Sequence, residues 1–347
     1  MPGSPSTAIT RFDLSISYGE FNLLANMARY IGLKLLPPLA VAQEAATFAK
    51  MKIASYLSKV EDTKRAPKGT YQRDDWEWTT DSYQVDEHGV EEIIDDATVE
   101  RYGDIVRVEQ IAAMRAINRV LQRLEYDIAA TLQSTATFGS GKNGAAAVPW
   151  TTAATADPIA DIDAAHDAIN TNSGQDANTL QLTKKSFRAM IRTARLEGLL
   201  KYNAADLMIA TNAGQNMDAV PRVRDGLMEL LQVENILIGR GFKNTADGGQ
   251  TASLSRMWDD TKALLCVVKD DGLYGDLESP EPQVGRTIFT TKNDDPLPGQ
   301  GDAGLGSLIM DEYREENVRG SVLRPRNKRQ VKTLHTECGY LITAVTA

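Results

Sequence analysis

The chain has 347 residues, 42% of them hydrophobic, enough for two or three ordinary domains or one elongated series of subdomains around a sizeable core. Its 47 acidic against 38 basic residues leave a formal net charge of −9, which argues against general adhesion to nucleic acid, because neutralising phosphates requires surplus Lys and Arg on a face. The opening MPGSPSTAITRFDLS has no basic region followed by an apolar run, and no window approaches the ~18 apolar residues of a spanning helix, so neither secretion nor a membrane segment is expected. Cys266 and Cys338 lack paired spacing, which argues against a disulfide framework or thiolate metal site and points to a reducing compartment.

Residues 1–47 carry few regular signals, and Pro37 and Pro38 bar a helix or a central strand there, so an extended arm is expected. Alternation from Phe48 to Ser58 predicts a strand, and turn residues Pro67 and Gly69 lead into WEWTTDSYQV, which runs back beside it as a long hairpin. Two strands alone are marginal in water. The arm from Tyr71 to Arg101 also carries Trp76, Trp78 and Tyr83, large aromatics that a polar segment cannot bury by itself, so their cover is expected on another subunit.

Asp104 reads as the N-cap of a long helix through Val108, Ala112, Ile117, Leu121, Leu124, Ile128 and Leu132, ended by Gly139 and Gly141. Further on, an α+β pattern predicts a helix from Asp157-Pro158, a strand at Leu180–Leu182, helices capped by Thr183 and Asp225, and strands at 236–238 and 263–268. Strands at 286–291, 317–324 and 330–346 close the chain around the Pro- and Gly-rich DDPLPGQGDAGLG.

No motif points to catalysis. The GxGxxG match at Gly299, Gly301 and Gly304 follows prolines instead of a strand and reads as a loop, so a nucleotide-using enzyme is only a remote alternative. His88, His166 and His335 are far apart with no HExxH, so no metal or other cofactor is expected. The carboxylate run Asp86, Glu87, Glu91, Glu92, Asp95 and Asp96 reads as a hydrated face unless it meets the basic cluster Arg319, Arg324, Arg326, Lys328, Arg329 and Lys332 of a neighbouring subunit.

The succession of arm, acidic-aromatic hairpin, long helix, WTTAATADPIADIDAAHDAI, NTLQLTKKSFRAMIRTARL and a closing β segment ending GYLITAV resembles the major capsid proteins of tailed double-stranded DNA phages, the Hong Kong ninety-seven fold. The resemblance implies an α+β chain with an N-terminal arm (1–47), an extended E-loop (48–98), a P-domain with a spine helix (99–149), an A-domain (150–282), returning P-domain strands (283–334) and a C-terminal strand (335–347). It implies a non-enzymatic virion subunit, assembled in the bacterial host cytoplasm into pentamers and hexamers around DNA held without specific binding. An encapsulin-like compartment is the alternative with the same fold. A separate scaffolding protein, a portal and a decoration protein are the further partners implied. Contacts between copies are expected at Tyr71, Trp76, Trp78 and Tyr83, with the carboxylate run facing Arg324, Arg326, Arg329 and Lys332.

Overall fold

A computed structural model describes residues 9–10, 30–56, 64–65, 67, 69–71, 77–102, 108–199, 226–247, 249–269, 282–290 and 308–346. The first half contains β1 (Ile9–Thr10), α1 (Gly32–Leu35), β2 (Pro38–Val41), β3 (Ala45–Met51), α2 (Ile53–Tyr56), β4 (Trp78–Gln84), β5 (Asp86–Gly89), β6 (Glu92–Asp95), α3 (Asp96–Tyr102) and α4 (Val108–Leu132). After it come β7 (Asn143–Ala145), α5 (Pro158–Ser173), β8 (Thr179–Thr183), α6 (Lys184–Ile191), β9 (Asn235–Gly239), β10 (Phe242–Asn244), β11 (Leu254–Arg256) and β12 (Ala263–Cys266). The last strands are β13 (Gly285–Thr290), β14 (Ile309–Glu315), β15 (Gly320–Thr333) and β16 (Gly339–Thr343).

Two larger sheets organise the described residues. One has the order β1-β14-β15-β13-β2, with β5 and β6 also paired to β15, and the other runs β7-β16-β12-β8-β9. The expected strands at 317–324 and 330–346 are instead a single 14-residue strand, β15, and a separate β16 beyond a short 3-10 turn at Thr336–Cys338. Pro325 lies inside β15, although proline cannot donate to a ladder. It is accommodated where the neighbouring edge breaks: Arg326 pairs with Gly89 of β5 and Leu323 with Glu92 of β6. At the gap, the Pro325 carbonyl accepts the Val90 N–H at 3.2 Å.

Helix α4 packs across this sheet with a stripe including Ala113, Ile117, Leu121 and Leu124, set by the 3.6-residue period. Ile117 and Leu121 meet Met310 and Leu323 of the sheet. The helix ends at Leu132 rather than at the glycines, and the chain turns before Gly139. Asp104 and Asp225, expected as caps, lie outside the described residues, although residues 226–230 are helical.

The other caps are as expected. Asp157 accepts from the Ala160 N–H with Pro158 in the first turn, and Gly174 closes α5 at φ 66°, the left-handed region open to glycine. Thr183 and Ser186 form a reciprocal capping box at α6. Around β8, β12 and α5 a second core gathers Trp150, Ile162, Ile169, Leu180, Leu265 and Ile342. β2 begins at Pro38 and runs parallel to β13 at the sheet edge, so a proline placed against a central strand is admitted to an edge one.

One buried carboxylate joins α4 to both neighbouring regions. Glu125, 2% exposed, accepts from the Ile31 N–H at 3.0 Å, the Gly32 N–H at 2.7 Å and the Trp258 indole N–H at 2.6 Å. Burial raises its pKa, with the three donors opposing that shift. A Cβ on residue 32 would lie 2.6 Å from the carboxylate oxygen, so glycine is required there by the closeness of the contact. Glu125→Ala strands three buried donors and is expected to cost about 3 kcal/mol or more in urea denaturation, with Glu125→Gln, which keeps one acceptor, costing less.

Candidate subunit interface

The hairpin forms as the alternation suggested, but with shifted ends. β3 and β4 pair antiparallel from Ala45 opposite Gln84 to Met51 opposite Trp78. The predicted strand to Ser58 stops at Met51, where its ladder partner begins, and the chain turns into α2.

The base of the hairpin is held by its own chain. Phe48 and Tyr83 lie with ring centroids 6.4 Å apart and, with Val85, bury against Ile288 of β13 and Leu334. Lys332 donates to Asp81 at 2.7 Å and to the Ser82 carbonyl at 2.9 Å, Lys50 donates to the Leu334 carbonyl, and the Gln84 N–H meets Gln330 Oε1 at 3.0 Å. Ile53, past the ribbon, touches the edge of the second core. Tyr83, expected on another subunit, is therefore 7% exposed within the protomer, because β13 and the end of β15 supply the layer the two strands lack.

The distal end is different. Trp78 is 47% exposed and Tyr71 69%, the latter with the Arg65 guanidinium 4.8 Å from its ring centroid. Trp76 lies outside the described residues. Ile93 and Val99, hidden in sequence among the carboxylates, add 52% and 44% exposed apolar side chains on β6 and α3.

The opposite-sign clusters meet inside the chain at Glu87 and Arg326, and other members are paired elsewhere in the same chain. Arg326 meets Asp311 at 2.7 Å and Glu87 at 3.7 Å, Arg324 meets Asp311 at 3.2 Å, and Lys328 meets Glu44 at 2.7 Å. Arg329 is buried, donating to the Val120 carbonyl at 3.1 Å with Asp127 at 3.6 Å, and burial lowers its pKa to about 10 against the Asp127 charge. Glu92 faces Arg115 and Arg119, Asp96 pairs with Arg314 at 2.7 Å, and Glu91 accepts from the Tyr313 hydroxyl at 3.2 Å. Asp86 is exposed beside the β15 register and Asp95 is half-buried. Antiparallel pairing of β5 to β15 brings Glu87 to Arg326, while β14 and α4 supply partners to other groups.

Among the described residues no group of three His, Cys, Asp or Glu could hold a metal ion. The glycine pattern at 299–304 lies outside the described residues. His335, beside the hairpin base, is lowered to about 4 by burial and then by Lys50. Asp81 is below the usual carboxylate range despite burial, because Lys332 and the Ser82 N–H bond to it and the charges of Lys332 and Lys50 add to that.

Two outcomes follow for the base. Phe48→Ala is expected to destabilise the chain by about 3 kcal/mol or more, read as a lower urea midpoint. For His335 the folded pKa lies below the unfolded one, so the stability from its neutral ring is complete above about pH 6.5 and is lost as pH falls toward about 4. The thermal midpoint should drop across that window, and His335→Gln should lessen the drop.

No family model matches the chain. In sequence it is 26% identical over 321 residues, 92% of either chain, to the major capsid protein of Burkholderia phage BcepMu. In structure it matches a phage-related protein from Bordetella bronchiseptica RB50 with a TM-score of 0.66 at 19% identity, covering 98% of this chain and 99% of the other. A prophage protein of E. coli CFT073 assigned as a capsid protein gives a TM-score of 0.54 at 12% identity, covering 99% and 100%.

Proposed function

This chain has the α+β, Hong Kong ninety-seven-like fold of phage major capsid proteins, and from that premise we propose that it is the repeating subunit of a phage head, assembling through pentamers and hexamers into an icosahedral shell around double-stranded DNA. It is a structural protein and not an enzyme. The observation that carries the assembly reading is the divided hairpin: its base is buried against β13 and bonded to β15, while Trp78 and Tyr71 are 47% and 69% exposed toward the far end. Apolar side chains of that size are favoured anchors at protein interfaces.

In this reading residues 1–47 are the arm and 48–98 the E-loop, laid over a neighbouring copy. Helix α4 is the spine helix of a P-domain segment at 99–149, residues 150–282 form the A-domain, 283–334 return to the P-domain, and 335–347 add the C-terminal strand. The contacts between copies are Tyr71, Trp76 and Trp78, joined by exposed Ile93 and Val99. Asp86, Glu87 and Glu91 form an exposed polar rim to that patch, while Lys332 registers the hairpin against its own sheet and Arg324 and Arg326 bind Asp311 within it. A scaffolding protein, a portal and a decoration protein complete the assembly, and the virion is its destination.

Electron microscopy of the full chain expressed with its scaffold tests this. Closed shells or rings are expected from the unaltered protein. Trp78→Ala with Tyr71→Ala should change the unfolding free energy from urea denaturation by no more than about 1 kcal/mol, because neither ring is fully buried in the protomer, yet reduce shells at least severalfold. Persistent monomers from the unaltered chain, or undiminished shells from the double variant, would contradict the proposal.

A further inference from the structure

A cleft beside α6 has a charge the whole molecule does not predict. It encloses about 540 Å³ between the turn at Trp150, Thr151 and Ala153 and the outer face of α6, with cationic side chains Lys184, Lys185, Arg188, Arg192 and Arg256 around it. Among the described residues no carboxylate lines it, in a chain of net charge −9.

Local sequence builds this concentration. The Thr183 capping box starts α6 so that Ser186 and Met190 turn inward, and Lys184, Lys185 and Arg188 then fall on the exposed face, with Arg192 one turn further. Trp150 is buried with its indole N–H on Asp161 at 2.8 Å, and the Ala194 N–H on the Ala153 carbonyl, 2.8 Å, ties the turn to the chain after the helix. The far wall is therefore fixed. Arg256 is engaged by Asp260 at 3.1 Å, but Lys184, Arg188 and Arg192 make no ion pair among the described residues. Arg195, adjacent in sequence, is the cation that Asp157 faces, at 3.9 Å.

We propose that this cleft binds the phosphate oxyanions of a nucleic-acid backbone. Arginine forks bond two phosphate oxygens at once, and lysines supply point charges beside them. Several cations in one concavity raise the local concentration of a polyanion that the rest of an acidic surface repels. A carboxylate-rich segment of a second copy fits less well, because Asp81, Glu87, Glu92 and Asp96 of this chain are already paired to Lys332, Arg326, Arg115 and Arg314. The capsid reading serves only to choose DNA among phosphate ligands.

The test is fluorescence anisotropy of a labelled duplex of about 20 base pairs with the full-length chain, with light scattering on the same samples to record assembly separately. Binding is expected to weaken roughly a hundredfold between about 50 and about 200 mM salt, as three or four phosphate contacts require. Lys184→Gln with Arg188→Gln and Arg192→Gln should weaken it at least tenfold at low salt, whereas the equally charged Lys34→Gln with Arg101→Gln and Arg240→Gln should not. Inorganic polyphosphate should compete; if it binds the cleft while the duplex does not, the phosphate site stands and its source is a free polyphosphate. The proposal is overturned if neither phosphate ligand binds, if the cleft variant binds as well as the unaltered chain, or if polyglutamate displaces the duplex at lower concentration than polyphosphate. Shell formation by the cleft variant would show that such a failure leaves the assembly reading intact.

Discussion

Strand β15 is the member on which the rest of the chain is mounted. Along its length it carries β14 and β13, on its other edge β6 and β5, and the long helix α4 crosses its face. Its side chains extend that role beyond the ladder. Arg329 reaches the carbonyl of Val120 on α4, Gln330 and Lys332 bond to β4, and Lys328 reaches Glu44 just before β3. A ribbon of two strands that would be marginal in water thereby acquires a third layer at one end only. The dry end and the open end of the hairpin are consequences of where β15 and β13 stop.

Local signals were legible where the deciding physics was local. The stripe of α4, the Asp157-Pro158 start and the Thr183 cap follow from side chains within one turn of the backbone, and all are present. The antiparallel hairpin was legible from alternation and turn residues, though its ends were not, since a strand ends where its partner does. Continuity of β15 through Pro325 could not be read, because it depends on a break between β5 and β6 more than two hundred residues earlier.

The candidate interface divides in the same way. That Trp78 would be uncovered followed from a polar surrounding sequence, but Tyr83, five residues on, is covered by Ile288 and Leu334 from the far end of the chain. Likewise the opposite charges of residues 86–96 and 319–332 were recognisable as complementary, while the structure joins them at Glu87 and Arg326 and pairs other members elsewhere in the protomer. Ile93 and Val99 were missed because single apolar residues in an acidic run carry no periodic signal. The basic spacing of Lys184, Arg188 and Arg192 was present in the sequence, but a cleft requires the Trp150 turn opposite it.

The molecule thus joins a self-contained body, tied through Glu125 and β15, to an exposed ribbon end that the proposed assembly covers with another copy. Hydrogen–deuterium exchange of the free chain and of assembled particles reads that division directly. The account predicts that amides of residues 45–48 and 81–85 are protected in both states, while those of the ribbon's far end, 49–51 and 77–80, exchange faster in the free chain and gain protection on assembly. Equal exchange at 77–80 in the two states, or an unprotected base in the free chain, would contradict it.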